Sequence, residues 1–113
     1  MTLLLGLRHE STPENMAEYL LTARAESDLD GIYEFSEAKF GRYQAEAYAA
    51  GFKRTFDLLA HFPLIGRAAD DLVPGYRRYR FQSHYIFYTG EPDHVLIRAL
   101  PHTAQNLRPE LFR

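Results

Sequence analysis

The spacing of hydrophobic residues changes once along this chain, at Pro63, and this change constrains the fold more than any other feature. Before Pro63, large apolar residues recur every three to four positions, which is typical of amphipathic helices. After it, large and charged residues alternate, as in the strands of a half-buried sheet. Helices and strands separated in this way predict a two-layer α+β domain.

Two helices are predicted before the change. Thr22 suits an N-cap, and Gly41 separates a first helix that ends near Lys39 from an aromatic-rich second helix over 42–61. Pro63 ends the second helix, and the short link predicts an antiparallel helical hairpin. The predicted buried positions are Ala25, Leu29, Ile32, Tyr33 and Ser36, followed by Ala45, Tyr48, Ala49, Phe52, Phe56 and Leu59.

The strands are predicted on both sides of this hairpin. A short strand over 18–22 precedes it, and strands over 76–81, 84–89 and 94–100 form a three-strand meander after it. Residues 64–75 are interpreted as a connector, and residues 104–112 as either a final short helix or an extended tail. The expected fold is therefore an N-terminal strand and a helical hairpin packed on an antiparallel sheet.

Length and composition indicate a single soluble domain. The chain has 113 residues, which is too few for two independent cores. It has no cysteine and no apolar run of membrane-spanning length, so a cytoplasmic protein is predicted. Residues 1–17 are polar in their second half and aperiodic there. They are interpreted as an N-terminal extension, disordered or absent from the native start, before a domain over 18–113.

The charges are distributed unevenly. Residues 1–63 carry six Lys or Arg against ten Asp or Glu, and residues 64–113 carry seven against five. Three of the basic residues, Arg77, Arg78 and Arg80, lie within four positions. The net charge of −2 nevertheless argues against a dedicated nucleic-acid-binding protein, because such proteins usually carry a stronger excess of basic residues.

A set of short motifs, which occur in one order along residues 18–112, resembles the RelE/ParE superfamily of bacterial toxin–antitoxin toxins. Within that superfamily the chain resembles the ParE branch of plasmid-stabilisation proteins. The motifs that carry the resemblance are Tyr19-Leu20-Leu21-Thr22-Ala23, Asp28-Leu29 with Ile32-Tyr33, Phe40-Gly41, Leu59-Ala60-His61-Phe62-Pro63-Leu64-Ile65-Gly66-Arg67, Leu72-Val73-Pro74-Gly75-Tyr76-Arg77, Ser83-His84-Tyr85-Ile86-Phe87-Tyr88 and Ile97-Arg98-Ala99-Leu100.

The resemblance implies a non-enzymatic toxin that poisons DNA gyrase through its A subunit. It also implies neutralisation by a ParD-like antitoxin that covers the helical hairpin and the sheet edge. No cofactor or metal is implied, and operator DNA is contacted only through the antitoxin complex. Members of this branch usually place a histidine directly after the last strand and Met-Asp shortly afterwards. This chain has Pro101 followed by His102 at the first place and Ala104-Gln105 at the second.

Two sets of residues are candidates for partner contacts. Arginine side chains make bidentate contacts with carboxylates and phosphates. The candidate contacts with the target are Arg77, Arg78, Arg80, His84, Arg98 and His102, and those with the antitoxin are Tyr33, Phe35, Phe40 and Tyr43. As alternatives, Arg78 and Arg80 form a solvated strand face, Arg77 binds a carboxylate or carbonyl structurally, and the aromatic residues belong to the core.

Two rival functions remain open on the sequence. The first is a ribosome-dependent messenger-RNA endonuclease of the RelE type, with His84 and His102 as acid–base groups. A protein that docks on ribosomal RNA is expected to be basic, whereas this chain is net acidic. The second is a toxin fold that has lost toxicity and persists as a binding module, which the Pro101 difference would suit.

Overall fold

Two helices and five strands form one α+β domain in the computed structural model, which describes residues 17–112. Along the chain these elements are β1 (Tyr19–Leu21), α1 (Ala23–Phe40), α2 (Arg42–His61), β2 (Arg67–Ala68), β3 (Arg77–Phe81), β4 (His84–Gly90) and β5 (Val95–Ala99), followed by a 3₁₀ helix (Pro109–Phe112). The prediction of an extension over residues 1–17 falls, except for Ala17, outside the described residues.

The helical hairpin has the predicted ends. The hydroxyl of Thr22 accepts a hydrogen bond of 3.0 Å from the backbone N–H of Ala25, which caps α1. Gly41 ends α1 with a φ of 94°, a conformation that glycine adopts without a Cβ penalty. Its N–H donates to the carbonyl of Glu37. Because α2 begins at the next residue, the two helices pack against each other as an antiparallel pair.

The five strands lie in the order β1-β5-β4-β3-β2. The predicted meander of β3, β4 and β5 is confirmed, and all its pairings are antiparallel. The sheet as a whole is mixed, because β1 pairs parallel to β5, with Tyr19 opposite Val95 and Leu21 opposite Ile97. The expectation of an antiparallel sheet is therefore wrong for β1. Hydrophobic periodicity does not indicate which strand so short a segment pairs with, or in which direction.

A further strand lies in the segment that was interpreted as a connector. Strand β2 has only two residues, both exposed, and it pairs antiparallel with β3. A two-residue strand without a buried side chain leaves no alternating pattern in the sequence.

The core lies between the hairpin and the sheet. Phe52 and Phe56 of α2 are fully buried, as are Ile86 and Tyr88 of β4. Phe52 packs edge-on against Phe81, with ring centroids 4.8 Å apart. Helix α1 contributes less than predicted: of its predicted stripe only Ala25 and Ser36 are buried, while Leu29, Ile32 and Tyr33 stay partly exposed. This leaves an opening beside α1.

The opposite face of the sheet is partly covered by the C-terminal segment. Phe87 alternates with Ile86 and Tyr88 along β4, so its ring points away from the hairpin. The ring of Phe112 packs against Phe87 with a centroid distance of 4.6 Å, and against Tyr76 at 5.9 Å. The segment therefore ends in a 3₁₀ helix docked on the sheet. Within residues 17–112, no helix is long and apolar enough to cross a membrane.

Candidate functional site

A groove of about 1000 Å³ opens between the helical hairpin and one end of the sheet. Its walls come from α1, α2, the turn between β3 and β4, and the segment that follows β5. Two backbone hydrogen bonds hold that last segment against β4: Tyr85 N–H donates to the carbonyl of Pro101, and Thr103 N–H donates to that of Ser83. The groove is therefore built from parts of the chain that are far apart in sequence.

Exposed aromatic side chains surround the tip of the hairpin. The exposed fraction of the residue is 65% for Phe35, 55% for Phe40 and 90% for Tyr43, whereas Tyr33 is half-buried. Phe35 and Phe40 line the groove. The Nζ of Lys39 lies 5.6 Å from the ring centroid of Phe35 and 5.9 Å from that of Phe40, within cation–π range. Large apolar groups this exposed are typical of a protein-binding surface.

A cluster of three polar rings lies in the same groove. The hydroxyl of Tyr48 lies 3.1 Å from Nδ1 of His84, and the rings of His84 and His102 are 5.1 Å apart. The backbone N–H of Ala104 donates to Nδ1 of His102 at 2.9 Å. Because an amide N–H only donates, Nδ1 of His102 is the acceptor in this hydrogen bond. Two imidazoles and a phenol thus meet at one place.

The surroundings of His84 disfavour its charged form. Burial lowers the pKa of His84 below its ordinary value of 6.5, and neighbouring His102 lowers it further, while the carboxylate of Asp28 acts in the opposite direction. Asp28 is itself engaged, because its Oδ2 accepts from the backbone N–H of Leu100 at 2.9 Å and its carboxylate pairs with Arg24.

The lowered pKa of His84 predicts a pH-dependent stability. Unfolded His84 binds a proton more readily than folded His84, so the contribution of His84 to the free energy of unfolding should fall as the pH drops below about 6.5 and stay constant above it. The His84→Gln variant should show a shallower loss between pH 6.5 and 5 than the parent chain. Urea denaturation at several pH values measures both slopes, and equal slopes would contradict the assignment to His84.

The lining of the groove is basic, although the whole chain is net acidic. Arg24, Lys39 and Arg54 line it against a single carboxylate, that of Asp28. Within residues 17–112, Arg54 has no ion pair with an acidic side chain. The described part of the groove therefore combines exposed aromatic rings with more basic than acidic side chains.

The candidate target contacts lie on two different surfaces. His84 and His102 face the groove. Arg78 and Arg80 alternate in β3 with Tyr79 and Phe81, which pack on the core, so both arginines point to the opposite face of the sheet.

Two further arginines of the candidate set make defined contacts. Arg98 donates through Nε to the hydroxyl of Thr89 at 3.2 Å, and it lies over the ring of Tyr76 at 5.3 Å. Arg77 donates to the backbone carbonyl of Gly66, so the structure gives it the carbonyl contact considered as an alternative role.

Several residues of the site had no specific role in the sequence interpretation. Tyr48 was assigned to the core because of its helical spacing, yet it contacts His84 in the groove. Lys39 was named only as the end of the first predicted helix, although its position directly before Phe40 is a signal that the sequence contains. No group of three or more His, Cys, Asp or Glu side chains within residues 17–112 is arranged to hold a metal ion.

Comparison with known proteins identifies the family. A family model described as "ParE toxin of type II toxin-antitoxin system, parDE" matches residues 19–107. The chain belongs to the ParE toxin family. ParE relatives agree: Toxin ParE1 of Caulobacter vibrioides is 38% identical over 96 residues, covering 85% of this chain and 99% of the relative. Toxin ParE1 of Mycobacterium tuberculosis is 37% identical over 86 residues, covering 74% of this chain and 88% of the relative.

A solved structure supports the ParE-like fold independently of close sequence similarity. The structure titled "Chromosomal ParDE TA system from P. aeruginosa" matches with a TM-score of 0.64 at 19% sequence identity. The match covers 73% of this chain and 90% of that chain. The chain is thus a ParE toxin of a type II toxin–antitoxin system, and the predicted family and fold are confirmed.

Proposed function

We propose that this ParE toxin acts in the cytoplasm by binding DNA gyrase, through its A subunit, and that a ParD-like antitoxin neutralises it. The observation that carries the proposal is the exposed aromatic tip of the hairpin beside a basic groove. Side chains of this kind are typical anchors of protein–protein interfaces. The toxin therefore works by protein binding rather than by chemical catalysis.

The antitoxin segment occupies the groove in this proposal. Phe35 and Phe40 offer apolar contact, and Lys39 and Arg54 offer positive charge. An amphipathic helix with an acidic edge complements both properties, since its apolar face packs on the rings while its carboxylates meet the cations. The neighbouring Tyr33 and Tyr43 widen the same surface on the hairpin.

A supercoiling assay with purified gyrase tests the target. Addition of the toxin should inhibit supercoiling, and prior addition of the ParD-like antitoxin should restore it. If supercoiling continues unchanged while ribosome-bound messenger RNA is cleaved, the gyrase proposal is wrong. If neither activity is found although the antitoxin binds, the chain is a binding module rather than a toxin.

One observation favours messenger-RNA cleavage as the second candidate function. His84 and His102 approach each other in a groove that Arg54 and Lys39 also line, and imidazoles beside cations suit acid–base chemistry on a phosphodiester. The His84→Gln variant separates the two candidates. It should lose RNA cleavage by at least about 100-fold if His84 transfers a proton. If His84 is only a candidate contact with gyrase, its replacement by another hydrogen-bonding side chain should weaken inhibition of supercoiling by no more than about tenfold.

A further inference from the structure

His84 and His102 lie directly opposite each other on neighbouring extended segments. His84, the first residue of β4, forms an isolated antiparallel bridge with His102. The backbone hydrogen bonds that flank this bridge join the neighbouring residues and not the two histidines themselves. In such a non-hydrogen-bonded pair the side chains stand on one face of the sheet and lie closer together than in a hydrogen-bonded pair. The backbone therefore holds both imidazoles together in the wall of the groove, with ring centroids 5.1 Å apart.

The two imidazoles differ in what a bound proton does to their hydrogen bonds. An imidazolium carries an N–H on each ring nitrogen. Because Nδ1 of His102 accepts from the backbone N–H of Ala104, a charged His102 would lose this bond and set two N–H groups against each other. Nδ1 of His84 contacts the hydroxyl of Tyr48, which either donates or accepts, so this bond survives protonation. His84 is therefore the ring of the pair that takes a proton without losing a hydrogen bond.

In the free protein, the side chains around His84 oppose its charged form. Burial and the neighbouring His102 lower the pKa of His84, and the carboxylate of Asp28 acts against them. Asp28 is shared with the backbone N–H of Leu100 and with Arg24. Burial raises the pKa of Tyr48, so its phenol stays neutral near pH 7. Besides His84, the ionisable side chains among the described residues that line the groove are Arg24, Asp28, Lys39, Tyr48, Arg54 and His102.

We infer that His84 takes up a proton from solvent when a carboxylate side chain of the antitoxin segment binds beside it in the groove. Lys39 and Arg54 line the same groove and attract a segment with carboxylates along one edge. A carboxylate beside His84 supplies the negative charge that favours the imidazolium, which then donates a charge-assisted hydrogen bond to it. The inference rests on the proposed function, because it requires an acidic antitoxin segment in the groove.

Calorimetry in two buffers counts the protons taken up on binding. The full chain is titrated with the ParD-like antitoxin near pH 7 in phosphate and in Tris, which differ in ionisation enthalpy, and the difference between the two binding enthalpies gives the number of protons. We expect roughly half a proton per complex, since a neighbouring opposite charge stabilises the imidazolium. By linkage, the affinity should then be about threefold higher at pH 6.5 than at pH 7.5.

Three histidine variants assign the proton. His84→Gln keeps a hydrogen-bonding group beside Tyr48 and should lose both the proton uptake and the pH dependence of the affinity. His102→Gln should still take up a proton. His61→Gln is the matched control, because it removes an exposed histidine outside the groove and should behave like the parent chain. Equal proton uptake in His84→Gln and the parent chain would overturn the inference, as would an uptake that only His102→Gln abolishes.

The outcomes for the parent chain separate this inference from the proposed function. Antitoxin binding without proton uptake, or with proton release, would overturn the inference and leave the proposed function intact, since no carboxylate would then face the imidazole. Failure of the antitoxin to bind at any pH would contradict both. If His84→Gln does not fold, an NMR titration of the His84 ring in the parent chain decides the question. The pKa of His84 should be higher in the complex than in the free toxin, and an equal or lower value would overturn the inference.

Discussion

Replacement of Gly66 by alanine is expected to destabilise the protein by about 1–3 kcal/mol, the usual range for overpacking a core, with the value at the upper end. A Cβ at this position would lie 2.3 Å from the hydroxyl oxygen of Tyr88 and 2.9 Å from the backbone carbonyl of Arg78. The tyrosine is fully buried, and its hydroxyl donates to the carbonyl of Pro63 while it accepts from the N–H of Gly66. Movement of the ring would therefore break both hydrogen bonds.

Gly31 provides the matched control for this substitution. It is exposed in the middle of α1, and a Cβ there meets nothing within 4 Å. Gly31→Ala should therefore stabilise the protein by about 0.5–1 kcal/mol through the lower backbone entropy of alanine. Urea denaturation of both variants measures the two effects, which should have opposite signs. A Gly66→Ala variant as stable as the parent chain would show that the loop after α2 adjusts without loss.

Loss of the aromatic tip should have the largest effect on antitoxin binding. An interface anchor contributes about 2 kcal/mol or more when it is truncated, so the Phe35→Ala, Phe40→Ala double variant should bind the ParD-like antitoxin at least about 100-fold more weakly. Both rings are more than half exposed in the free protein, so their removal creates no cavity in the core. The free energy of unfolding should therefore change little.

Phe62 is the matched control for the aromatic tip. The residue is 58% exposed, close to the 55% of Phe40, but it lies at the far end of α2, about 28 Å from Tyr43 along the helix axis. Phe62→Ala should leave the affinity within about twofold of the parent value, since it removes similar apolar area outside the groove. Isothermal titration calorimetry measures all three affinities. An equal loss of antitoxin affinity in Phe62→Ala would show that the interface extends beyond the aromatic tip. Unchanged affinity in the double variant would show that the aromatic tip does not bind the antitoxin.

Much of the fold was predictable because its signals are local. Helix α2 has the predicted bounds, since Gly41 and Pro63 mark its ends and the apolar residues between them keep helical spacing. The meander was predictable from alternation and turn residues in the same way. Strand β2 was missed because its two residues are exposed and carry no pattern.

The candidate site was predictable only in part. The off-stripe positions of Phe35, Phe40 and Tyr43 in the helices indicated side chains outside the core, and all three are exposed. The contact of Tyr48 with His84 joins residues 36 positions apart and gives no local signal. The bridge between His84 and His102 likewise depends on the pairing of β4 with the segment after β5, which no spacing in the sequence encodes.

By itself, the sequence determined the class of fold, the helical hairpin and the meander, because helix caps, turn residues and apolar periods act over a few positions. The family was predicted separately, from the resemblance of the ordered motifs. Only the tertiary structure decided the parallel placement of β1 and the groove with its paired imidazoles. Each of these depends on contacts between distant segments, whose geometry is set by packing of the whole core rather than by local preference.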